Sequence, residues 1–201
     1  VKYWGKGQGQ IPLNPSVSFV LHHSRTLLSM EFKVNPDLST PKLEYYFEGQ
    51  LSFPFRNRFL NYLQHISQYL PFINQLELTI QTRNTFPHSA GIASSASAFG
   101  ALALAVCEAE RLLFNTLTDD MSFIEKASFL ARLGSGSASR SVMGGFSMWG
   151  EAFFPDNSSD EAAVSLAGII NPVFETYRDS ILVVYAGVKE IPSSRGHALM
   201  D

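Results

Sequence analysis

Four short stretches carry side chains with which this chain could handle a charged ligand: residues 2–6 (KYWGK), 87–97 (PHSAGIASSAS), 134–141 (GSGSASRS) and 193–196 (SSRG). The second and third join small residues to hydroxyls, and the first, third and fourth each bring cations. Phosphate binding uses those parts: backbone N–H groups, serine hydroxyls, and Lys or Arg to neutralise charge. Each stretch also has an ordinary reading. Small residues at a helix start serve close packing, Lys2 and Lys6 suit a solvated surface, and Arg140 could be a surface arginine after a helix end. Four such stretches in one chain favour a ligand. Composition by itself reaches a phosphate-binding domain and stops there. Neither GxGxxG nor GxxxxGK[ST] occurs, so a Rossmann or P-loop site is not expected. No His/Cys cluster has zinc-ligand spacing, and His22 and His23 read as a strand end and turn.

These stretches need elements to hold them. The small-residue loop at 87–97 leads into residues 100–107 (GALALAVC), apolar on every side, the pattern of a buried helix. That helix is expected over about residues 94–111, with its N-terminal N–H groups and positive dipole end facing an anion. A second helix is expected over about 119–133, capped by Asp119 or Asp120. It delivers the chain to residues 134–145. Phe59, Leu60, Leu63, Ile66 and Leu70 predict an amphipathic helix over 56–70. Alternation predicts strands over 16–22, 27–34, 42–47, 76–82 and 146–149, with a buried strand over 180–187. A Gly-rich loop with Pro12 and Pro15 follows an opening strand that ends at KYWGK, and a polar, mobile loop is expected around 155–161. Strands first and a mixture later give an α+β fold.

The 201 residues suffice for one domain with a substantial core. Charged residues make up 16% and the formal net charge is −3, so the chain lacks the basic field that a nucleic-acid partner requires. The single cysteine, Cys107, excludes an internal disulfide, fits a reducing compartment and falls in the apolar helix as an inert thiol. No apolar run approaches a membrane span, and the reading is a soluble, cytoplasmic protein. Val1 is not an initiator Met, and RGHALMD stops where a helix begins, so the chain reads as a fragment cut at both ends.

The order KYWGK, FPHSAGIASSAS, ARLGSGSASRS, PSSRG resembles the diphosphomevalonate decarboxylase family of the GHMP kinase superfamily. The Gly91-Ile92-Ala93-Ser94-Ser95 core is similar to the superfamily's ATP-phosphate loop, and KYWGK followed by GSGSASRS narrows the choice. The resemblance implies a GHMP-kinase N-terminal domain (ribosomal protein S5 domain 2-like) with a left-handed βαβ crossover over residues 1–187. Residues 188–201 would begin a C-terminal ferredoxin-like domain largely absent from this chain. It implies ATP-dependent decarboxylation of (R)-5-diphosphomevalonate to isopentenyl diphosphate, with ADP, phosphate and CO2 released, in the mevalonate pathway. The cofactors implied are ATP and Mg2+, and the implied assembly is a homodimer.

The same resemblance assigns roles residue by residue. Ser89, Ala90, Gly91, Ala93, Ser94 and Ser95 would hold the triphosphate, with Ser94 or Ser95 on the phosphates. Arg140 matches the arginine that binds the substrate carboxylate. Ser135 and Ser137 match substrate-contacting serines. Tyr3, Lys6, Ser194 and Arg195 match positions holding the diphosphate end. Lys2 matches a lysine beside the catalytic aspartate, which in the family lies in a later Gly-rich segment not found in this sequence. Two other readings stand beside this one. One is a related enzyme on mevalonate or its monophosphate, either a 3-kinase or a monophosphate decarboxylase. The other is a non-catalytic nucleotide-binding relative. Lys6, Ser194 and Arg195 supply enough donors for a diphosphate, which favours the first reading.

Overall fold

The computed structural model describes residues 5–87 and 94–182. In chain order the elements are β1 (Ser16–Phe19), β2 (Thr26–Val34), β3 (Lys42–Phe47), β4 (Gln50–Leu51), α1 (Phe53–Ile66), β5 (Leu76–Asn84), α2 (Ser94–Phe114), α3 (Asp120–Gly134), β6 (Phe146–Trp149) and β7 (Val164–Ser165). Short 3-10 turns at Gln8–Gln10, Pro71–Gln75, Gly136–Val142 and Pro172–Thr176 complete the α+β fold. Contacts group the chain into two compact units, Val1–Arg25 with Thr85–Asp201, and Thr26–Asn84.

The Thr26–Asn84 unit is a four-stranded sheet in the order β2-β5-β3-β4. β2 runs antiparallel to β5 from Thr26↔Asn84 to Val34↔Leu76, whereas β3 lies parallel to β5. A parallel neighbour needs a crossover, and α1 supplies it. Alternation in β5 buries Leu76, Leu78, Ile80 and Thr82. Phe59, Tyr62, Leu63 and Ile66 of α1 are likewise buried, each worth about 1.5–3 kcal/mol for the large apolar members. The Phe59 and Tyr45 rings sit 4.8 Å apart. Tyr45 keeps its hydroxyl satisfied by sharing a 2.5 Å hydrogen bond with Thr82 Oγ1. The expected helix over 56–70 therefore begins three residues early and ends at Ile66. Pro71 disfavours helical backbone at Leu70, which is buried instead through the 3-10 turn that follows.

The other unit pairs β1 and β7 on either side of β6, both antiparallel. α2 and α3 are neighbours in it, linked by a 2.7 Å ion pair from Lys126 to Glu110. The apolar run of α2 is buried at Ala96, Phe99, Gly100, Leu102, Ala103, Val106, Cys107 and Ala109, while Ala101, Leu104 and Ala105 are half-buried, so the burial expected on every side is partial. Asp119 caps α3, accepting from the Ser122 N–H at 2.8 Å. None of the helices among the described residues is long and apolar enough to cross a membrane.

Three further expectations change. The strand expected over 16–22 stops at Phe19: Val20 N–H still donates to the Gly145 carbonyl at 3.0 Å, but Gly145 has left-handed backbone (φ 62°), which ends the ladder. The loop expected to be mobile around 155–161 is pinned. Gly150 N–H donates to the Ser159 carbonyl at 2.9 Å, Glu151 N–H to Asp160 Oδ1 at 2.7 Å, and Trp149 Nε1 to the Asp160 carbonyl at 2.8 Å. Its polar side chains satisfy backbone groups, so polarity here marks turn chemistry. Residues 180–182 of the expected buried strand pair with no strand among the described residues, and Leu182 is 86% exposed. Apolar side chains stay in solvent where no partner strand covers them. Residues 183–187 lie outside the described residues.

Candidate functional site

Lys6 sits at the base of a tight loop. An antiparallel bridge joins Lys6 to Pro12, Leu13 N–H donates to the Gly5 carbonyl at 3.0 Å, and Gly7 N–H donates to the Ile11 carbonyl at 2.8 Å. At the loop tip Gly9 and Gln10 both have left-handed backbone, φ 68° and 65°. This turns the Gln10 side chain so that its Oε1 accepts from Lys6 Nζ and, at 3.3 Å, from the Gly136 N–H. The loop that carries Lys6 and the turn that begins at Gly136 are thus joined through one amide oxygen.

The turn itself grows out of the end of α3. Ser135 leaves helical backbone (φ −160°, ψ 119°), and residues Gly136–Val142 wind into 3-10 geometry. Buried serines hold it from beneath. Ser128 Oγ donates to the Ser139 carbonyl at 2.9 Å and accepts from the Ala163 N–H at 2.8 Å, and Ser139 Oγ donates to the Gly136 carbonyl at 3.1 Å. Gly136 has no room for a side chain. A Cβ there would stand 2.8 Å from Trp149 Cη2 and 3.2 Å from the Gln10 carbonyl oxygen. Ser135 and Ser137 are half-buried on this turn.

Arg140 is half-buried and docked, which sets aside the surface-arginine reading. Its Nη1 donates to Ser16 Oγ at 2.9 Å, and its guanidinium carbon lies 5.8 Å from the Trp149 ring centroid. Trp149 and Ser16 face each other in the β1–β6 register and are almost fully buried.

α2 approaches the same turn. A Cβ at Gly100 would lie 2.9 Å from Ser141 Cβ, so the first turns of the helix press directly against the Arg140 segment. Ser94 and Ser95 open α2 and are half-buried. The start of a 21-residue helix offers N–H groups and a positive dipole end, which with two hydroxyls suits phosphate oxygens. Among the described residues there is no group of three or more His, Cys, Asp or Glu side chains able to hold a metal ion. Cys107 lies deeper in α2, and burial, with Glu110 nearby, pushes its thiol up to about 12.

The structure thus places Lys6, Ser135, Ser137 and Arg140 on one joined pair of loops, with α2 pressed against the same turn at Gly100. Lys2, Tyr3, Ser89, Ala90, Gly91, Ala93, Ser194 and Arg195 lie outside the described residues. Sequence reasoning missed Gln10, Ser16 and Trp149, which hold the candidate side chains in place. Ser16 carried a faint signal, a serine at the first position of a strand. Gln10 carried none, because its partner Gly136 is 126 residues away.

Comparison with known proteins gives this geometry a context. The model of the diphosphomevalonate decarboxylase-like N-terminal domain matches residues 1–161. A diphosphomevalonate decarboxylase of Candida albicans is 35% identical over 210 residues, 98% of this chain and 54% of that protein. A crystal structure of mevalonate diphosphate decarboxylase from Staphylococcus aureus aligns with a TM-score of 0.67 and 28% identity, covering 98% of this chain and 55% of its own. A solved complex of MDDEF with MVAPP, AMPPCP and magnesium aligns with a TM-score of 0.58 and 28% identity, over 81% of this chain and 45% of its own. The chain spans about half the length of the curated relatives it matches. With four-fifths of its residues inside the family match, the chain belongs to the diphosphomevalonate decarboxylase-like N-terminal domain family.

Proposed function

We propose that this chain forms the nucleotide-binding and substrate-orienting part of an ATP-dependent decarboxylase that converts (R)-5-diphosphomevalonate to isopentenyl diphosphate. The observation that carries the reading is the joint between the Lys6 loop and the Arg140 turn at Gln10 Oε1. It holds a cation for the diphosphate end and a guanidinium for the carboxylate in one frame. Ser94 or Ser95, at the start of α2, contacts the nucleotide phosphates together with the helix N–H groups. ATP bound with Mg2+ supplies the phosphoryl group that makes the tertiary 3-hydroxyl a leaving group.

Arg140 orients the carboxylate so that the breaking C–C bond lines up with the departing 3-oxygen. Ser16 and Trp149 fix the guanidinium plane for that task. Ser135 and Ser137, on the same turn, contact the substrate beside it. By the family resemblance Lys6, with Tyr3, Ser194 and Arg195, would hold the diphosphate, and Lys2 would match the lysine beside the family's catalytic aspartate. We further propose a homodimer, on the family resemblance, working in the cytoplasm, on the single cysteine that fits a reducing compartment.

The test is a coupled ADP-release and CO2-release assay on the intact gene product, comparing mevalonate, its 5-phosphate and its 5-diphosphate. Equal release of ADP and CO2 with the diphosphate alone is the expected result. ADP without CO2 would make the protein a 3-kinase, preference for the monophosphate would move the 5-end contacts, and no turnover with nucleotide still bound would leave a binding relative.

A further inference from the structure

Arg132 is a buried charge for which the proposed chemistry has no direct use. It lies in the last turn of α3 and is only 3% exposed. Its Nε donates to the Glu161 carbonyl at 2.7 Å and its Nη1 to the Gly9 carbonyl, while the guanidinium carbon lies 5.2 Å from the Phe129 ring centroid. Burying a guanidinium is expensive unless its N–H groups find acceptors. Here an acceptor is the carbonyl at the tip of the Lys6 loop.

That tip needs holding. Gly9 and Gln10 are consecutive residues with positive φ, and Gln10 carries a Cβ that makes this backbone unfavourable. Such a conformation persists when its surroundings over-determine it. Arg132 grips the carbonyl of Gly9, and the next side chain, Gln10, is thereby aimed at Lys6 Nζ and the Gly136 N–H. Arg132 also precedes Ser135 by three residues in one continuous stretch of α3 and its exit. The Lys6 loop is therefore referenced to the segment that carries Ser135, Ser137 and Arg140.

We propose that Arg132 and Gln10 form a positioning clamp that sets Lys6 against the Gly136–Val142 turn, so that Arg132 influences the substrate through Lys6. The clamp rests on the reading of Lys6 as a contact to the diphosphate end. A purely structural arginine would lower stability without singling out one ligand, and its loss would add to the loss of Lys6.

The experiment compares Arg132→Met, Gln10→Ala, Lys6→Ala and the two double variants with Lys6→Ala, in the intact gene product. The KM for 5-diphosphomevalonate should rise about tenfold in Arg132→Met and Gln10→Ala, the scale of one misplaced charge-assisted contact, with kcat within about twofold. Affinity for AMPPCP with Mg2+ should not change. In the Lys6→Ala background either substitution should add less than about twofold, because both act through the group already removed. A full tenfold addition in that background, or an unchanged KM in both single variants, would overturn the clamp. If Arg132→Met does not fold, Gln10→Ala carries the same comparison. Hydrogen exchange in residues 5–13, followed without ligand, separates the clamp from the function. It should quicken about tenfold in either variant, and unchanged exchange overturns the clamp even if the parent proves not to turn over diphosphomevalonate.

Discussion

Arg140 and Ser16 stand 124 residues apart in the chain and meet at 2.9 Å, Nη1 donating to Oγ. Ser16 opens β1 opposite Trp149 of β6, whose ring centroid lies 5.8 Å from the same guanidinium. An arginine on a short turn would ordinarily sample many rotamers, and ordering it at the moment of binding costs about 1.5–2 kcal/mol. The β1–β6 pairing meets that cost in the fold. The planar fork is oriented in advance of the carboxylate proposed as its ligand.

Arg140→Ala should therefore lower turnover by at least about a hundredfold, the size typical of losing one preorganised donor, with a much smaller change in KM. Arg140→Lys keeps the charge and loses the two-pronged geometry, so binding should recover before rate. Ser16→Ala should cost only a few-fold, about one neutral hydrogen bond, because Trp149 still supports the guanidinium. Steady-state kinetics of the three variants check the order. A variant with unchanged turnover and a large rise in KM would leave Arg140 serving ground-state binding alone.

Gly136→Ala tests the joint between the two loops. Its Cβ would meet Trp149 Cη2 at 2.8 Å and the Gln10 carbonyl oxygen at 3.2 Å. Trp149 is fully buried and the carbonyl is backbone, so neither yields cheaply. The expected loss is about 1–3 kcal/mol of stability, as for overpacking of a filled core. The KM for the diphosphate substrate should rise as well, because the Lys6 loop is pushed off the turn. Denaturant unfolding with parallel kinetics measures both, and Gly144→Ala, which meets nothing within 4 Å, is the control.

The sequence made some of this legible and hid the rest for physical reasons. Alternation in LELTIQT and the all-round apolar run of α2 are direct records of burial, and both elements appear where their periods put them. Asp119 announced its helix because a cap is a local interaction, three residues from donor to acceptor. β4 and β7, two residues each, have too few positions to show a period. Loop 155–161 looked mobile because its polar residues resemble those of a solvated loop, yet Ser158, Ser159 and Asp160 use that polarity to bind backbone. Of the stretches singled out, Lys6, the serines that open α2 and residues 134–141 fall within the described residues and belong to the candidate site. What holds them, Gln10 to Gly136 and Ser16 to Arg140, is long-range pairing: Gln10 left no local trace, and Ser16 only that of a serine opening a strand.

Cys107 gives a prediction independent of ligand. Burial first, then the charge of Glu110, raises its thiol from 9.0 to about 12. At pH 8 an ordinary thiol is about 10% thiolate, whereas this one is about a thousandfold less ionised. Iodoacetamide should leave the native protein unmodified over hours and label it promptly in denaturant. The linkage has a definite sign. The folded chain keeps a proton that the unfolded chain releases, so this contribution to stability is complete below pH 9 and is lost as pH rises from 9 toward 12. Cys107→Ala should flatten that alkaline decline, measured by denaturant midpoints at pH 7, 9 and 10.5. Rapid labelling of the native protein at pH 8 would return Cys107 to the reactive class.

The last prediction concerns the start of α2. Ser95 is half-buried in the first turn of a helix whose Gly100 presses on Ser141, so the helix is anchored beyond the loop that precedes it. Ser95→Leu keeps that anchor and adds bulk where a phosphate group is proposed to lie. Nucleotide binding should fall below detection by titration calorimetry with AMPPCP and Mg2+, while the unfolding midpoint stays close to the parent's, because the half-buried position leaves the buried face of α2 intact. Ser95→Ala separates bulk from the hydroxyl. It removes one hydrogen bond to a charged acceptor, worth about 1.5–3 kcal/mol, and should weaken nucleotide about ten- to a hundredfold if Ser95 is the contact, with Ser94→Ala taking that loss if it is the neighbour. Normal nucleotide affinity in Ser95→Leu would make the small residues at this helix start a packing device and remove the phosphate site from α2.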